Sequence, residues 1–485
     1  MQPCRIGLVL GFVLLSGSNW GQSAEPPARP NGVLKAGAAK VDITPRKWPQ
    51  PMVGSFSERL ATKAWDPLYV RAMVLDDGRT ALAIAIVDSC YVPRHVLDDA
   101  KQRIAKAITL RPDHMLMAAT HTHTAPASRN RRQIKADPGY VEQLTQGLVD
   151  AVVQAYKNRE PAEVGWGVTQ VPEEVFNRRW FMKPGGIVPN PFGKTDDKVR
   201  MNPPAGSPLL DRPAGPVDPD VSVLSVRTRD GRPIALLANY SLHYVGGIPR
   251  GGVSADYFGE FARLIEERLG GDRPAGSPSM VAMMSNGTSG DVNNISFRKR
   301  RPRAEPFERM RTVARRVADA AIQVYQSIEH RPNVSLAMAQ KLLTIDKRRP
   351  TPEQIEWAKR LLAGEEPKRH RWAEAYARWV LDLAKSSPTE ELVLQAIRIG
   401  DLGICAIPCE VFVGLEIKQR SPLKPTFTIE LANGHYGYLP TPRQHELGGY
   451  ETWLGSCILE EHASEKIVAT LIDLLDQTTA AHCSR

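Results

Sequence analysis

The chain has 485 residues, a formal net charge of +10 and six cysteines, one of them in the first ten residues. That length supports a large core in one domain or two, and so sparse and odd a set of remaining cysteines excludes a disulfide framework. The basic excess lies mainly in "RTRDGR", "FRKRRPR", "DKRRP" and "EEPKRHRW", broken by turn residues or acids; this argues against a nucleic-acid face and leaves peripheral contact with an anionic surface, such as lipid headgroups, as the lesser alternative.

In chain order, Arg5 precedes the apolar run "IGLVLGFVLL" and then "SGSNWGQSA", which predicts a secretory signal peptide over 1–24 and export to the periplasm or the medium. The run is too short for the ~20 residues of a membrane span, and no later segment reaches that length without a charge. A proline-rich, flexible segment over 25–35 leads into a domain over 36–478. Apolar runs at 80–90 and 115–120 read as strands and alternate with helical patterns at 93–108 and 140–156, a mixed α/β arrangement with buried sheet. Proline- and glycine-rich stretches at 183–217 and 270–279 read as long loops. Ser254 and Asp256 look like caps to a helix ending at Gly270, and Thr351-Pro352 opens a charged helical hairpin over about 351–386, placed as an insertion. A strand pair over 391–410 turning at Gly400-Asp401 and a terminal amphipathic helix, "EEHASEKIVATLIDLLDQ", complete the chain.

Residues 117–126 read "MAATHTHTAP". On a strand, positions i and i+2 share a face, which would direct His121 and His123 into one volume. A hydrogen-bonded histidine pair at a sheet edge explains this as well as a metal site does. His243 in "IALLANYSLHYVGG" also follows an apolar strand, as does Glu410 in "GICAIPCEVF", and "NGHYGYLP" brings a tyrosine cluster into a glycine-rich loop. Zinc hydrolases need three or four such N/O ligands, so these strand-end positions keep both readings open.

The ordered motifs "AGAAKVDITP", "MVGS", "PLYVRAMVL", "ATHTHTAP", "FNRR", "SLHYVGG", "SGDVNN", "PCEVF" and "NGHYGYLPT" resemble the neutral/alkaline, non-lysosomal ceramidases over roughly residues 36–478. The resemblance implies a layered sandwich of mixed and antiparallel sheets flanked by helices. It further implies a Zn2+ ion on His121, His243, Glu410 and Tyr438, and a zinc-activated water that cleaves the N-acyl amide bond of ceramide or a related N-acyl lipid. By the same resemblance His123 donates a proton or stabilises an oxyanion, Arg178 in "FNRRW" and Tyr450 in "GGYET" line the pocket, and the backbone of Gly54 borders the substrate.

Three departures accompany this resemblance. The family carries a serine, regarded as essential, directly after "GDV", where this chain has Asn293, a catalytic candidate whose amide is no nucleophile but can donate a hydrogen bond to an oxyanion or a sugar hydroxyl. The chain ends without room for the immunoglobulin-like domain the ceramidases carry, and the hairpin at 351–386 has no match. An alternative therefore stands beside N-acyl hydrolysis: the same architecture acting on an ester or a carbohydrate-derived amide. A non-catalytic binding protein is the third reading.

Overall fold

The computed structural model describes Met1 and residues 32–131, 134–271 and 277–483. The expected signal peptide lies outside the described residues, as does part of the expected loop at 270–279. Twelve strands form the two principal sheets. In chain order they are β1 (Lys35–Asp42), β2 (Tyr69–Asp76), β3 (Ala81–Val87), β4 (Met115–Ala119), β5 (Glu160–Gln170) and β6 (Asp220–Thr228). They continue with β7 (Pro233–Tyr240), β8 (Val281–Asn286), β9 (Leu336–Asp346), β10 (Thr389–Ile399), β11 (Leu402–Ile407) and β12 (Thr426–Glu430). The larger sheet runs β8-β7-β6-β5-β1-β2-β3-β4 and the smaller β9-β10-β11-β12. Three pairs are parallel, β3 with β4, β7 with β8 and β11 with β12, and the other neighbours are antiparallel.

The two sheets stack face to face. On β3, Leu82, Ile84 and Ile86 pack against Ile397, Ile404 and Phe427 of the smaller sheet. The alternate residues Ala83, Ala85 and Val87 face Leu97 and Ile104 of α1 (Arg94–Ala107) and Leu144 and Leu148 of α2 (Pro138–Lys157). A strand buried on both faces must be apolar throughout, which is why "ALAIAIV" lacks a polar alternation. Along the rest of the larger sheet α3 (Asp256–Leu269) and α4 (Glu308–Ser327) seal the outer face with Phe258, Phe261, Val313 and Val317. The smaller sheet carries α7 (Gly414–Arg420) and α9 (Ala463–Cys483) on its outer face. The result is the layered sandwich of mixed sheets flanked by helices that the sequence led us to expect.

Two further helices, α5 (Pro352–Ala363) and α6 (Ala373–Lys385), pack on each other through Ala358, Leu361, Ala377 and Val380. Thr351 and Gln354 form a reciprocal capping box at the start of α5. The short helix α8 (Pro442–Leu447) precedes the last loops. The four cysteines at 90, 405, 409 and 457 are free and buried. Among the described residues no helix is long and apolar enough to cross a membrane.

Two expectations need correction. The stretch 183–217 is not wholly loop: Val199–Met201 and Leu210–Pro213 pair on either side of Arg179–Met182 as a three-stranded sheet. The N-cap position of α3 falls on Ala255, between the two expected caps, although both side chains do bond first-turn N–H groups: Ser254 Oγ accepts from Asp256 N–H at 3.1 Å and Asp256 Oδ1 from Tyr257 N–H at 2.7 Å. Asp256 is its first residue, at φ +55°, and its carboxylate accepts from the N–H groups of Val245 and Gly246, while Ser254 donates to Asp66. The carboxylate thus fastens the loop that follows His243.

Burial pushes the Asp256 carboxyl up to about 6. A folded pKa above the unfolded value of about 3.9 means the native state holds the proton longer, so this group's stabilisation is present at low pH and is lost as pH rises toward about 6. Relative to Asp256→Asn, the wild type should lose about 1.4 kcal/mol of stability per pH unit across that window, measured by urea unfolding at several pH values; a pH-independent difference would contradict the shifted carboxyl.

Candidate metal centre and its pocket

Strands β4, β7, β8, β11 and β12 all end at one edge of the sandwich, where backbone hydrogen bonds tie the sheets together. Ala119 N–H donates to Leu431 O and Asn433 N–H to Met117 O between the sheets, while Gly287 N–H to Tyr240 O extends the pairing of β7 with β8. The loops leaving these strands carry His121, His123, His243, Glu410 and Tyr438. Strand alternation is not what pairs the two histidines of "HTH": β4 stops at Ala119 and His121 adopts φ +76°. That left-handed residue turns the chain so that the His121 and His123 Nε2 atoms come within 3.2 Å.

His121 and His243 meet edge to face with ring planes 89° apart and Nε2 atoms 3.0 Å apart. Glu410 Oε2 lies 3.5 Å from the first and 3.9 Å from the second, and no hydrogen bond reaches it although it is buried. The tautomers follow from the partners. His121 Nδ1 faces Cys90 O at 2.8 Å, and a carbonyl only accepts. His243 Nδ1 faces Ser289 O at 3.1 Å. Each Nδ1 therefore carries a hydrogen, and each Nε2 is turned toward the other ring and toward a carboxylate oxygen. Such a set needs positive charge among its members, from a proton on His121 Nε2 or from a metal ion. Burial disfavours charge on both, yet their attraction outweighs it: the Glu410 carboxyl is held well below its usual range and His121 well above. Burial and the neighbouring His121 push His243 well down.

The donor set fits zinc. Ligands about 2.0–2.1 Å from a tetrahedral ion lie about 3.3 Å from one another, and the three separations here are 3.0, 3.5 and 3.9 Å. Tyr438 stands directly opposite Glu410 in a two-residue parallel ladder, Glu410–Val411 with Tyr438–Leu439.

Supporting groups surround this core, and several were not singled out from the sequence. Glu430 accepts from Ser289 Oγ at 2.6 Å, from Ser289 N–H and, at 2.8 Å, from Val411 N–H, so one buried carboxylate holds the backing of both His243 and Glu410. Its signal was present: "TFTIE" ends an apolar strand on an acid, as at Glu410. His435 sits 3.4 Å from Glu410 Oε1, while its Nδ1 receives Arg129 at 3.1 Å. Because a guanidinium only donates, His435 Nε2 carries the hydrogen and offers it to Glu410. Nothing in the sequence points to the Cys90 carbonyl.

The other expected residues sit as follows. His123 stacks on Tyr244 with ring centres 3.8 Å apart. Arg178 is buried, donates to Glu451 at 2.8 Å and to Gly290 O at 2.7 Å, and lies 5.3 Å from the Tyr438 ring centre. Tyr450 meets Tyr438 edge-on at 5.5 Å, and burial pushes its phenol up to about 12. Gly54, at φ +88°, lies against His123 so closely that a Cβ would stand 2.7 Å from that side chain. Asn293 is the exception: its amide donates to Asn202 at 2.6 Å and accepts from Ile295 N–H. No contact joins it to the histidine and glutamate cluster among the described residues.

The layered α/β fold thus brings a buried His/His/Glu cluster to its strand ends, and a family match makes the chain a hydrolase of the ceramidase type. Residues 34–300 match the family described as "neutral/alkaline non-lysosomal ceramidase, N-terminal", and the chain belongs to that family. Two solved structures share the fold. A neutral ceramidase from Pseudomonas aeruginosa aligns with a TM-score of 0.69 at 18% identity, over 93% of this chain and 75% of its own. A ceramidase complexed with C2 aligns with a TM-score of 0.67 at 16% identity, over 92% of this chain and 75% of its own. A search of curated proteins gave no match.

Gly54→Ala should drive its methyl into His123 and displace that ring. We expect kcat/KM to fall about 10²-fold, the scale of a 1 Å misplacement at a reacting centre, with the protein's metal content unchanged; unchanged turnover would show that the position of His123 is immaterial.

Proposed function

We propose that this chain is a secreted, zinc-dependent hydrolase that cleaves an N-acyl amide bond, with ceramide or a related N-acyl lipid as substrate. The observation that carries the reading is the buried convergence of two imidazole lone pairs and an unbonded carboxylate oxygen, all within 4.8 Å. His121, His243 and Glu410 would hold the ion, with Tyr438 as a fourth ligand. Zinc in such a set polarises an acyl carbonyl and renders water nucleophilic near neutral pH.

The chain's own residues supply the rest. The His121 and His243 rings are fixed from behind by the Cys90 and Ser289 carbonyls, and Glu410 by His435, so the ligands are oriented before anything binds. His123, beside the centre and held flat by Tyr244, is placed to pass a proton to the leaving amine. Arg178, anchored by Glu451, turns its positive charge toward Tyr438 and the reacting carbonyl, where an oxyanion develops. Asn293, with both ends of its amide engaged, has a structural part.

A second reading, the same centre acting on an ester or a carbohydrate-derived amide, is favoured by that engagement of Asn293 where the family carries serine. Purified chain should release fatty acid from ceramide with added zinc and lose that activity on chelation; release that survives chelation would refute the zinc reading, and none from zinc-loaded protein would favour the second. Glu410→Ala removes the one carboxylate in the set. It should lower zinc content to near zero by elemental analysis, and full zinc occupancy would refute the assigned ligands.

A further inference from the structure

Residues 51–53 and 125–127 run side by side. Ala127 N–H donates to Pro51 O at 2.7 Å, Met52 bridges Pro126, and Val53 N–H reaches Ala125 O at a long 3.4 Å. The pairing ends there, because Gly54 turns away at φ +88°. His123, two residues beyond Ala125 on the facing segment, is left with no strand beside its carbonyl.

Arg59 takes over at this point. It belongs to Arg59–Ala61, which pairs with Gln50–Met52 so that Met52 stands opposite Arg59. From there its side chain crosses the loop that holds Gly54. Its Nη2 donates to Val53 O at 2.8 Å and to His123 O at 2.7 Å, so one nitrogen joins the last carbonyls of the two segments. A peptide plane held by its carbonyl is held whole. The bond to Val53 O therefore also sets the direction of the Gly54 N–H, which has no acceptor among the described residues.

This placement carries a cost. Burial disfavours the charge on Arg59, no carboxylate pairs with it among the described residues, and its Nε is buried without an acceptor. What the planar guanidinium adds in return is a fixed geometry between two carbonyls. That geometry governs the side of the centre on which His123 lies. A Cβ on Gly54 would stand 2.7 Å from the His123 side chain, Tyr244 stacks on the His123 ring, and its Nε2 lies 3.2 Å from His121 Nε2.

We propose that Arg59 is a positioning residue of the reaction. By bridging Val53 and His123 it holds the His123 imidazole and the Gly54 amide at one separation, the imidazole for proton transfer and the amide N–H for a hydrogen bond to the substrate. This rests on the part given to His123 above.

The test compares the zinc-loaded wild type with Arg59→Ala and Arg59→Lys on a soluble short-chain ceramide. Arg59→Ala should lower kcat about 10²-fold with KM and metal content unchanged, and millimolar guanidinium chloride should restore a large part of the loss. Arg59→Lys, with a point charge in place of the fork, should keep an intermediate rate. Unchanged kcat in Arg59→Ala overturns the inference. So does a loss that guanidinium leaves uncorrected and that Arg59→Lys shares in full, which is the pattern of an arginine that only supports the fold. If Arg59→Ala does not fold, Arg59→Lys decides, and a wild-type kcat in that variant overturns the inference. An NMR spectrum of isotope-labelled histidine, with His123 assigned from His123→Gln, reads the same position without turnover. The His123 signals should shift in Arg59→Ala and return with guanidinium. If the wild type hydrolyses no N-acyl substrate, the acyl-bond reading fails alone: that shift still supports Arg59 as the residue that seats His123, and its absence overturns the inference.

Discussion

Two imidazoles whose Nε2 atoms face each other at 3.0 Å, with a carboxylate oxygen beside them, need positive charge among them, from a proton on His121 or from a bound cation. Much of the surrounding structure serves that requirement. The Cys90 and Ser289 carbonyls fix the hydrogens on the far nitrogens, so neither ring can relieve the repulsion by changing tautomer. Arg129 does the same for His435, which then faces the second oxygen of Glu410 with its N–H. Each device removes a tautomer in which these groups would satisfy one another, and a proton on His121 or a bound cation is left to supply the positive charge.

The sandwich makes this arrangement rigid by burying strands such as β3, β7, β11 and β12 on both faces. Loops that leave five strands at one edge cannot drift, because Glu430 at the end of β12 bonds to Ser289 and to Val411. One carboxylate in the shorter sheet's last strand thereby sets the backing of a histidine from the larger sheet and of the glutamate next to Val411. An ionisable group so completely enclosed costs a great deal unless every lone pair is used, and here three donors converge on it. The supporting network thus carries a cost of its own, which suits a group whose part is positioning.

Much of this was legible before the fold was known. The apolar strands around 81–87 and 115–119, the helices at 94–107 and 138–157 and the turn at Gly400-Asp401 follow from periodicity and turn chemistry. His121, His243 and Glu410 were visible as polar residues just past apolar strands. The reason offered for pairing His121 with His123 was wrong, since a left-handed turn and not strand alternation joins them. Backbone carbonyls that fix tautomers leave no trace in side-chain patterns, and the short strands within 183–217 are hidden by their proline and glycine content. Asn293 was read for what an amide could do in a pocket; its bonds to Asn202 and Ile295 were set by loop contacts that one sequence cannot show.

The centre and the pocket wall obey different constraints. Ligands and their backing lie where strands end, so the geometry of the sandwich dictates them. The wall is built from Phe56, from Tyr450 after α8, and from Trp372 and Trp379 of the helical hairpin, elements that touch the sheets little and that could vary without disturbing the metal ligands. Membership of a family therefore speaks for the chemistry at His121, His243 and Glu410 more strongly than for what lies along the wall.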